Sequence, residues 1–340
     1  MKDQSFNMTR RAFLRNTALV GAATAIVGAP AIVGAADPIR LTFGHGASPG
    51  NPRSVAADKF AELVKERSGG AINVTVAGSA QLGDDAAMLT SLRTGALAIS
   101  ANSQGATSAI VPELAALGLP FLVADSAAGI KLLQGKIGEQ LRAKFEAVGL
   151  VPLGYWDNGI RHLTNSKRAV KVPDDLKGLK IRTPPDPMTI DIFQTLGAAT
   201  AQIAFAELYV ALQQGVVNGQ ENPLTNIAAN KLQEVNKYIS LTGHKWECNP
   251  VLMSKMAWGR LDAKLKTVVQ EAMAEVSAMQ LELSNSANAK LLTEYRANSN
   301  LVISDVDVPA FRQRTASVYD KWQEKPFGSF VKELRVAAGG

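Results

Sequence analysis

Apolar and polar positions along the chain follow two rhythms that trade places repeatedly. Ile39 to Phe43 has the twofold period of a strand and runs into a polar turn, His45 to Pro52. Val55, Ala56, Phe60, Leu63 and Val64 then recur at helical spacing until Gly69-Gly70 ends the run. Ile72 to Ala77 predicts a second strand, Asp84 to Thr94 a second amphipathic helix, and Leu97 to Ala101 a third strand. Asn102 to Ser108 reads as a polar loop. A helix over 127–147 leads to a strand from Val151 to Trp156, a turn at Asp157-Asn158-Gly159, and a strand from Ile160 to Asn165 that carries Arg161.

The alternation then restarts. Leu179 to Arg182 predicts a strand, Met188 to Leu196 a helix, Ala199 to Ile203 a strand, and Ala206 to Gln214 a helix leading into Val216-Val217. In the word Gly219-Gln220-Glu221-Asn222-Pro223, Pro223 suits the first position of a helix with Asn222 as its N-cap. Two such rounds predict an α/β fold with mostly parallel strands, divided into two lobes rather than one large sheet. From Arg260 to Asn300 there is neither Gly nor Pro, and Leu261, Leu265, Val268, Ala272, Val276, Met279 and Leu283 form a helical stripe. One helix of roughly 35 residues would be a rod of about 50 Å, long enough to cross both lobes. The other reading is two helices broken near Ser284-Asn285-Ser286. The tail, Val302 to Val331, offers a short strand and an amphipathic helix.

One stretch concentrates the candidate chemistry. In Asp174 to Pro185, Gly178 closes a short helical turn and Leu179-Lys180-Ile181-Arg182 alternates apolar and basic. Pro184 and Pro185 stop the strand, because neither donates to a ladder and each holds its predecessor extended. Arg182 is thereby placed at the carboxyl end of a strand, the edge where α/β sheets form ligand crevices. A guanidinium there presents a planar fork suited to a carboxylate, or else braces the fold through a salt bridge.

Composition narrows the partners. The 340 residues are 46% hydrophobic and 19% charged, ordinary globular material with room for two cores. The net charge of +6 includes Lys2, Arg10, Arg11 and Arg15 against Asp3 in the first 36 residues, which leaves +3 on the remainder. That mild excess suits a small anion and excludes a nucleic-acid partner. Cys248 is the only cysteine, so a disulfide and a thiolate metal cluster are both excluded. Thr9-Arg10-Arg11-Ala12-Phe13-Leu14-Arg15, the apolar run Ala18 to Val33 and the small residues Gly34-Ala35-Ala36 form a twin-arginine leader. Cleavage before Asp37 would give a periplasmic protein; without cleavage the run would act as an anchor.

Enzymatic chemistry finds little support. His45, His162 and His244 are the only histidines and keep no metal-ligand spacing. A P-loop and a dinucleotide glycine pattern are missing. No cofactor or metal is expected, although Glu221 and Gln220 could in principle bridge one to a ligand.

The chain closely resembles the solute-binding proteins of TRAP (tripartite ATP-independent periplasmic) transporters, the DctP family. The matching words are Gln81-Leu82-Gly83-Asp84-Asp85 with Met88-Leu89, Leu119-Pro120-Phe121-Leu122, and Gly154-Tyr155-Trp156-Asp157-Asn158-Gly159-Ile160-Arg161. They continue through Thr164 to Arg168, Asp175 to Arg182, and Gly219 to Leu224, in one order over essentially the whole mature chain. The resemblance implies a two-lobe periplasmic binding protein, a type II-like Venus flytrap with a long helix spanning both lobes. It implies capture of an organic acid such as a C4-dicarboxylate, a 2-oxo or hydroxy acid or a sugar acid, delivered to TRAP membrane subunits.

Residue by residue, the resemblance makes Arg182 the carboxylate anchor, Arg161 a second basic contact and Asn222 an amide facing the same carboxylate. Phe205 matches a far-wall position, His45, Gly46 and Ser103 match variable loop positions of the first lobe, and Trp156 lies beside the hinge. Asn218 departs from the family, where an aspartate is common. Each residue has a structural alternative: Asn222 as a cap, Arg161 paired with Asp157 or Glu221, Phe205 and Trp156 in a core. The expected lobes are 37–159 with 248–287, and 160–247 with 288–340, acting as a monomer. A receptor for a sensor or an ATP-driven importer would share this clamp, and the stripe of the long helix could instead face a second copy.

Overall fold

The computed structural model describes residues 37–339; the expected leader lies outside them. The elements in chain order are β1 (Ile39–His45), α1 (Pro52–Arg67), β2 (Ile72–Ala77), α2 (Asp85–Thr94), β3 (Ile99–Ala101) and α3 (Gln104–Thr107). Then come α4 (Ser126–Leu133), α5 (Lys136–Ala147), β4 (Leu150–Asn165), β5 (Lys180–Thr183), α6 (Pro187–Thr195), β6 (Ala199–Gln202) and α7 (Leu208–Gln213). The chain continues through β7 (Gly219–Asn222), α8 (Leu224–Ala229), α9 (Leu232–Val235), β8 (Tyr238–Ser254), α10 (Lys255–Gly259) and α11 (Ala263–Ala297). It ends with β9 (Val302–Asp305), α12 (Val308–Gln323) and α13 (Gly328–Ala337).

The first three strands form as the alternation predicts, β2 and β3 both pairing with β1 in parallel. The second parallel set is β5 between β6 and β7. The two sets are not separate sheets. The order β2-β1-β3-β8-β4-β7-β5-β6 makes one hydrogen-bonded path through two long antiparallel strands, β4 and β8. β8 pairs with β9 near its start and with β3 near its end, so each long strand changes neighbours as it leaves one half for the other. The expectation of two unconnected sheets is corrected by these strands.

Three local expectations also change. Asp157-Asn158-Gly159 is no turn: β4 continues through it, and the register against β8 shifts between Asp157 and Gly159, a bulge that the left-handed φ of Gly159 (113°) permits. The helix expected over 127–147 breaks between α4 and α5, where Gly135 becomes the N-cap of α5. The polar loop 102–108 contains the short helix α3, its residues wholly buried.

The long helix is one piece. α11 has 35 residues, capped by Asp262, whose side chain accepts from the Leu265 N–H. Its first half packs Val269, Ala272, Met273 and Val276 into the core under β1, α1 and β3. Its far end contributes Tyr295 to the core formed with α7 and α8. Between them, Gln280 and Ser284 grip the β4 bulge: Gln280 exchanges two 2.8 Å hydrogen bonds with the Asp157 backbone, and the Ser284 hydroxyl donates to Asp157 Oδ2 at 2.6 Å. Trp246 Nε1 takes the other oxygen at 2.7 Å. Burial pushes the Asp157 carboxyl upward, against these donors.

Candidate ligand cleft

The two parallel strand sets point their carboxyl ends at one cavity. Arg53, Asp85 and Ser103 line it from one side, Arg182, Phe205 and Asn222 from the other, with Arg161 and Glu247 at its floor. Its size suits one compact solute.

Arg182 reaches it as its strand dictates. Ile181 turns into the core, Arg182 faces the opposite way, and the backbone leaves the sheet after Thr183 at Pro184-Pro185. The side chain is 2% exposed. Nε donates to the Ile203 carbonyl at 2.9 Å, and the guanidinium carbon stands 5.9 Å from the centre of the half-buried Phe205 ring. The terminal nitrogens have no protein partner among the described residues, and no carboxylate pairs with them. Burial lowers the pKa of Arg182 to about 10, Glu221 opposing the shift, so the group stays cationic at neutral pH.

Arg161 has a different setting. Its Nε and Nη2 meet both oxygens of Glu221 at 2.5 and 2.7 Å, Nη1 meets Glu247 at 2.7 Å, and Nη2 also reaches Asn222 Oδ1 at 3.1 Å. Lys245, opposite Arg161 in the β4–β8 ladder, extends the network with Asp186 at 2.6 Å and Glu247 at 2.8 Å. Burial opposes charge on Arg161, but Glu221 and Glu247 outweigh it and hold the guanidinium above its ordinary value. Burial likewise disfavours the Glu221 carboxylate, and Arg161 with a His244 hydrogen bond keeps it below the usual carboxylate range. Arg161 borders the cavity with every nitrogen already engaged, so the salt-bridge alternative with Glu221 describes what its side chain does.

The remaining residues divide. Ser103 lines the cavity and donates its hydroxyl to Asp85 Oδ2 at 2.5 Å. Asn222 lines it as the last residue of β7; Pro223, not Asn222, occupies the N-cap position of α8, because the strand ladder holds Asn222 opposite His162. Its amide is tied to Gln220, Arg161 and Asn226.

His45 and Trp156 lie outside the lining. Trp156 is fully buried, stacked on Phe43 at 5.7 Å and donating to Ser277. His45 is buried behind the loop, its Nδ1 accepting from the Ala47 N–H, and Gly46 takes the lining position. Glu221 is committed to Arg161 and His244, and among the described residues no group of three His, Cys, Asp or Glu could hold a metal. Sequence reasoning passed over Arg53, Asp85, Asn158, Asn226 and Glu247. Asp85 and Asn158 stood in the family-like words without a role, and Arg53 left a physical signal, a cation in the first turn of a helix where the dipole disfavours it.

Across the cavity the halves touch directly. The Asn51 amide donates to Asn226 at 2.9 Å and Ser48 to Asn230 at 3.0 Å. A Cβ on Gly105 would fall 2.4 Å from the Asp186 side chain, so only glycine lets α3 approach α6 this closely.

The family model for bacterial extracellular solute-binding proteins, family 7 (DctP), matches residues 43–325. The protein y4mM of Sinorhizobium fredii (strain NBRC 101917 / NGR234) is 58% identical over 93% of this chain, which spans 58% of that relative's length. The 2,3-diketo-L-gulonate-binding periplasmic protein YiaO of Escherichia coli (strain K12) is 34% identical over 80% of this chain and 83% of its own. The crystal structure of the sugar acid binding protein DctPAm from Advenella mimigardefordensis strain DPN7T, in complex with galactonate, superposes with a TM-score of 0.86 at 30% identity, covering 89% of this chain and 98% of that one. A two-lobe α/β clamp matched along nearly its whole described length by such proteins belongs to the DctP family, family 7 of the bacterial extracellular solute-binding proteins.

Proposed function

We propose that this chain captures a compact organic acid between its lobes, with Arg182 as the carboxylate anchor, and delivers it to the membrane subunits of a TRAP transporter. One observation carries the reading: a buried arginine without an ion-pair partner among the described residues lines the cavity. An unpaired buried charge is a standing cost, and an incoming carboxylate removes it. The relatives' ligands agree in kind, a diketo sugar acid for YiaO and galactonate for DctPAm. The family is one of binding proteins for transport, not of enzymes.

In this reading Phe205 covers the anchor, Ser103 and Asn222 complete the wall, and Arg161 sets the field of the site without giving up its own partners. Lobe I comprises 37–159 and 248–287, lobe II 160–247 and 288–340. The twin-arginine leader sends the folded chain to the periplasm, where it acts as a monomer. A thermal-shift screen against organic acids identifies the ligand, since a solute bound only by the folded state raises the melting temperature. Calorimetry then tests the anchor. Arg182→Ala is expected to weaken binding by about 2–5 kcal/mol, and Arg182→Lys to lose most of it because a point charge cannot form the fork. Unchanged affinity in either variant would sink the proposal.

A further inference from the structure

Arg182 accounts for one end of a bound acid. The facing wall, built by α1, α2 and α3, holds a second buried arginine that the fold does not use up. Arg53 is 6% exposed and lines the cavity. Nη1 reaches the Ala101 carbonyl at a long 3.3 Å, and Nε is buried with no partner. Its charge has no ion pair among the described residues. It also sits in the first turn of α1, where a cation meets the positive end of the helix dipole. Two penalties at one position point to a group that arrives from outside the fold.

Asp85 qualifies what that group can be. It lines the same wall, half-buried, and its Oδ2 accepts from the Ser103 N–H at 3.0 Å and the Ser103 hydroxyl at 2.5 Å. Its Oδ1 has no protein partner among the described residues. The wall thus offers an unused cationic donor beside an unused anionic acceptor. An aliphatic end would leave both unpaired at a largely buried wall. A second carboxylate would satisfy Arg53 but confront Asp85. A hydroxyl accepts from one and donates to the other.

We infer that Arg53 is a specificity-determining residue that reads hydroxyl oxygens at the end of the ligand remote from Arg182. Together with Asp85 it makes the site selective for polyhydroxylated monocarboxylates over dicarboxylates and unsubstituted acids. The inference rests on Arg182 as the carboxylate anchor.

The test is calorimetric titration of the purified protein with D-erythronate, succinate and butanoate, three four-carbon acids, and with D-galactonate as a longer hydroxy acid. The wild type should bind at least one hydroxy acid ten-fold or more tighter than succinate and butanoate. Arg53→Ala should cut hydroxy-acid affinity at least ten-fold while butanoate changes less than three-fold, and Arg53→Gln should recover part of the loss by restoring a donor. A melting temperature close to wild type for Arg53→Gln keeps the result separate from misfolding. Succinate binding as tightly as the hydroxy acids, or Arg53→Gln weakening every acid by one common factor, overturns the inference while Arg182 stands. Failure of all four acids to bind, or unchanged binding in Arg182→Ala, overturns the anchor and the inference with it.

Discussion

Arg161 and Arg182 are both buried to 2% exposure, on strands separated only by β7, yet their settings make opposite demands. Arg161 is the centre of a network, and its loss would leave Glu221 with only His244 and Glu247 with only Lys245 as ionisable partners. Arg161→Ala is therefore expected to destabilise the protein by about 3–5 kcal/mol in chemical denaturation. Arg182→Ala removes a buried cation that has no ion pair among the described residues, so the ligand-free protein should melt at the same temperature as wild type or higher, while losing its ligand. A lower ligand-free melting temperature for Arg182→Ala would mean that the Ile203 hydrogen bond and the Phe205 contact outweigh the cost of the buried charge. His45 supplies a pH dependence. Burial, with the nearby charge of Arg53, pushes its pKa down to about 4 from an ordinary 6.5. Below pH 6.5 the unfolded chain takes up a proton that the folded chain refuses. The stabilisation is complete above pH 6.5 and is lost as the pH falls toward 4, by up to about 3 kcal/mol. Melting temperatures followed from pH 7 to 4.5 should fall less steeply in His45→Gln than in wild type; parallel curves would contradict the assignment. The sequence made Arg182 conspicuous because two prolines announce the strand end beside it. Arg53 was hard to see, because its meaning depends on which partners it lacks.

At the scale of elements, the regular helices and short strands were legible from period alone, and α11 from the lack of any breaker over forty residues. β8 was not. Tyr238 to Ser254 is buried on both faces over most of its length, so it shows no alternation, and its polar residues His244, Lys245, Glu247 and Asn249 resemble a loop until their partners are seen. The Asp157-Asn158-Gly159 word has turn composition, but the ladder on β8 and the clamp from α11 hold it extended. Removing one clamp bond with Ser284→Ala should cost about 1.5–3 kcal/mol, the range for hydrogen bonds to charged groups, measurable by urea unfolding. Gly105 probes closure separately. Gly105→Ala puts a methyl group where α3 meets Asp186, so affinity for the ligand should drop while the ligand-free melting temperature changes little. Undiminished affinity would show that this contact is not made in the bound form.

For the molecule as a whole, the division into two lobes was legible in the repeated alternation, and the connection between them was not. A lobe boundary in sequence usually invites the picture of a loop, and pattern alone cannot tell a loop from a strand that bends. Here the joint is woven: β4 and β8 pair with each other from Leu150 to Asn165 without interruption of the strand, and α11 lies across the bend. A protein stitched in this way has no dotted line along which to tear it. Either half expressed by itself would present a raw sheet edge many residues long and should aggregate rather than fold. The intact chain should melt in a single calorimetric step in spite of its bipartite outline. Any motion between the halves must then bend two continuous strands, more the flexing of a leaf spring than the swing of a door.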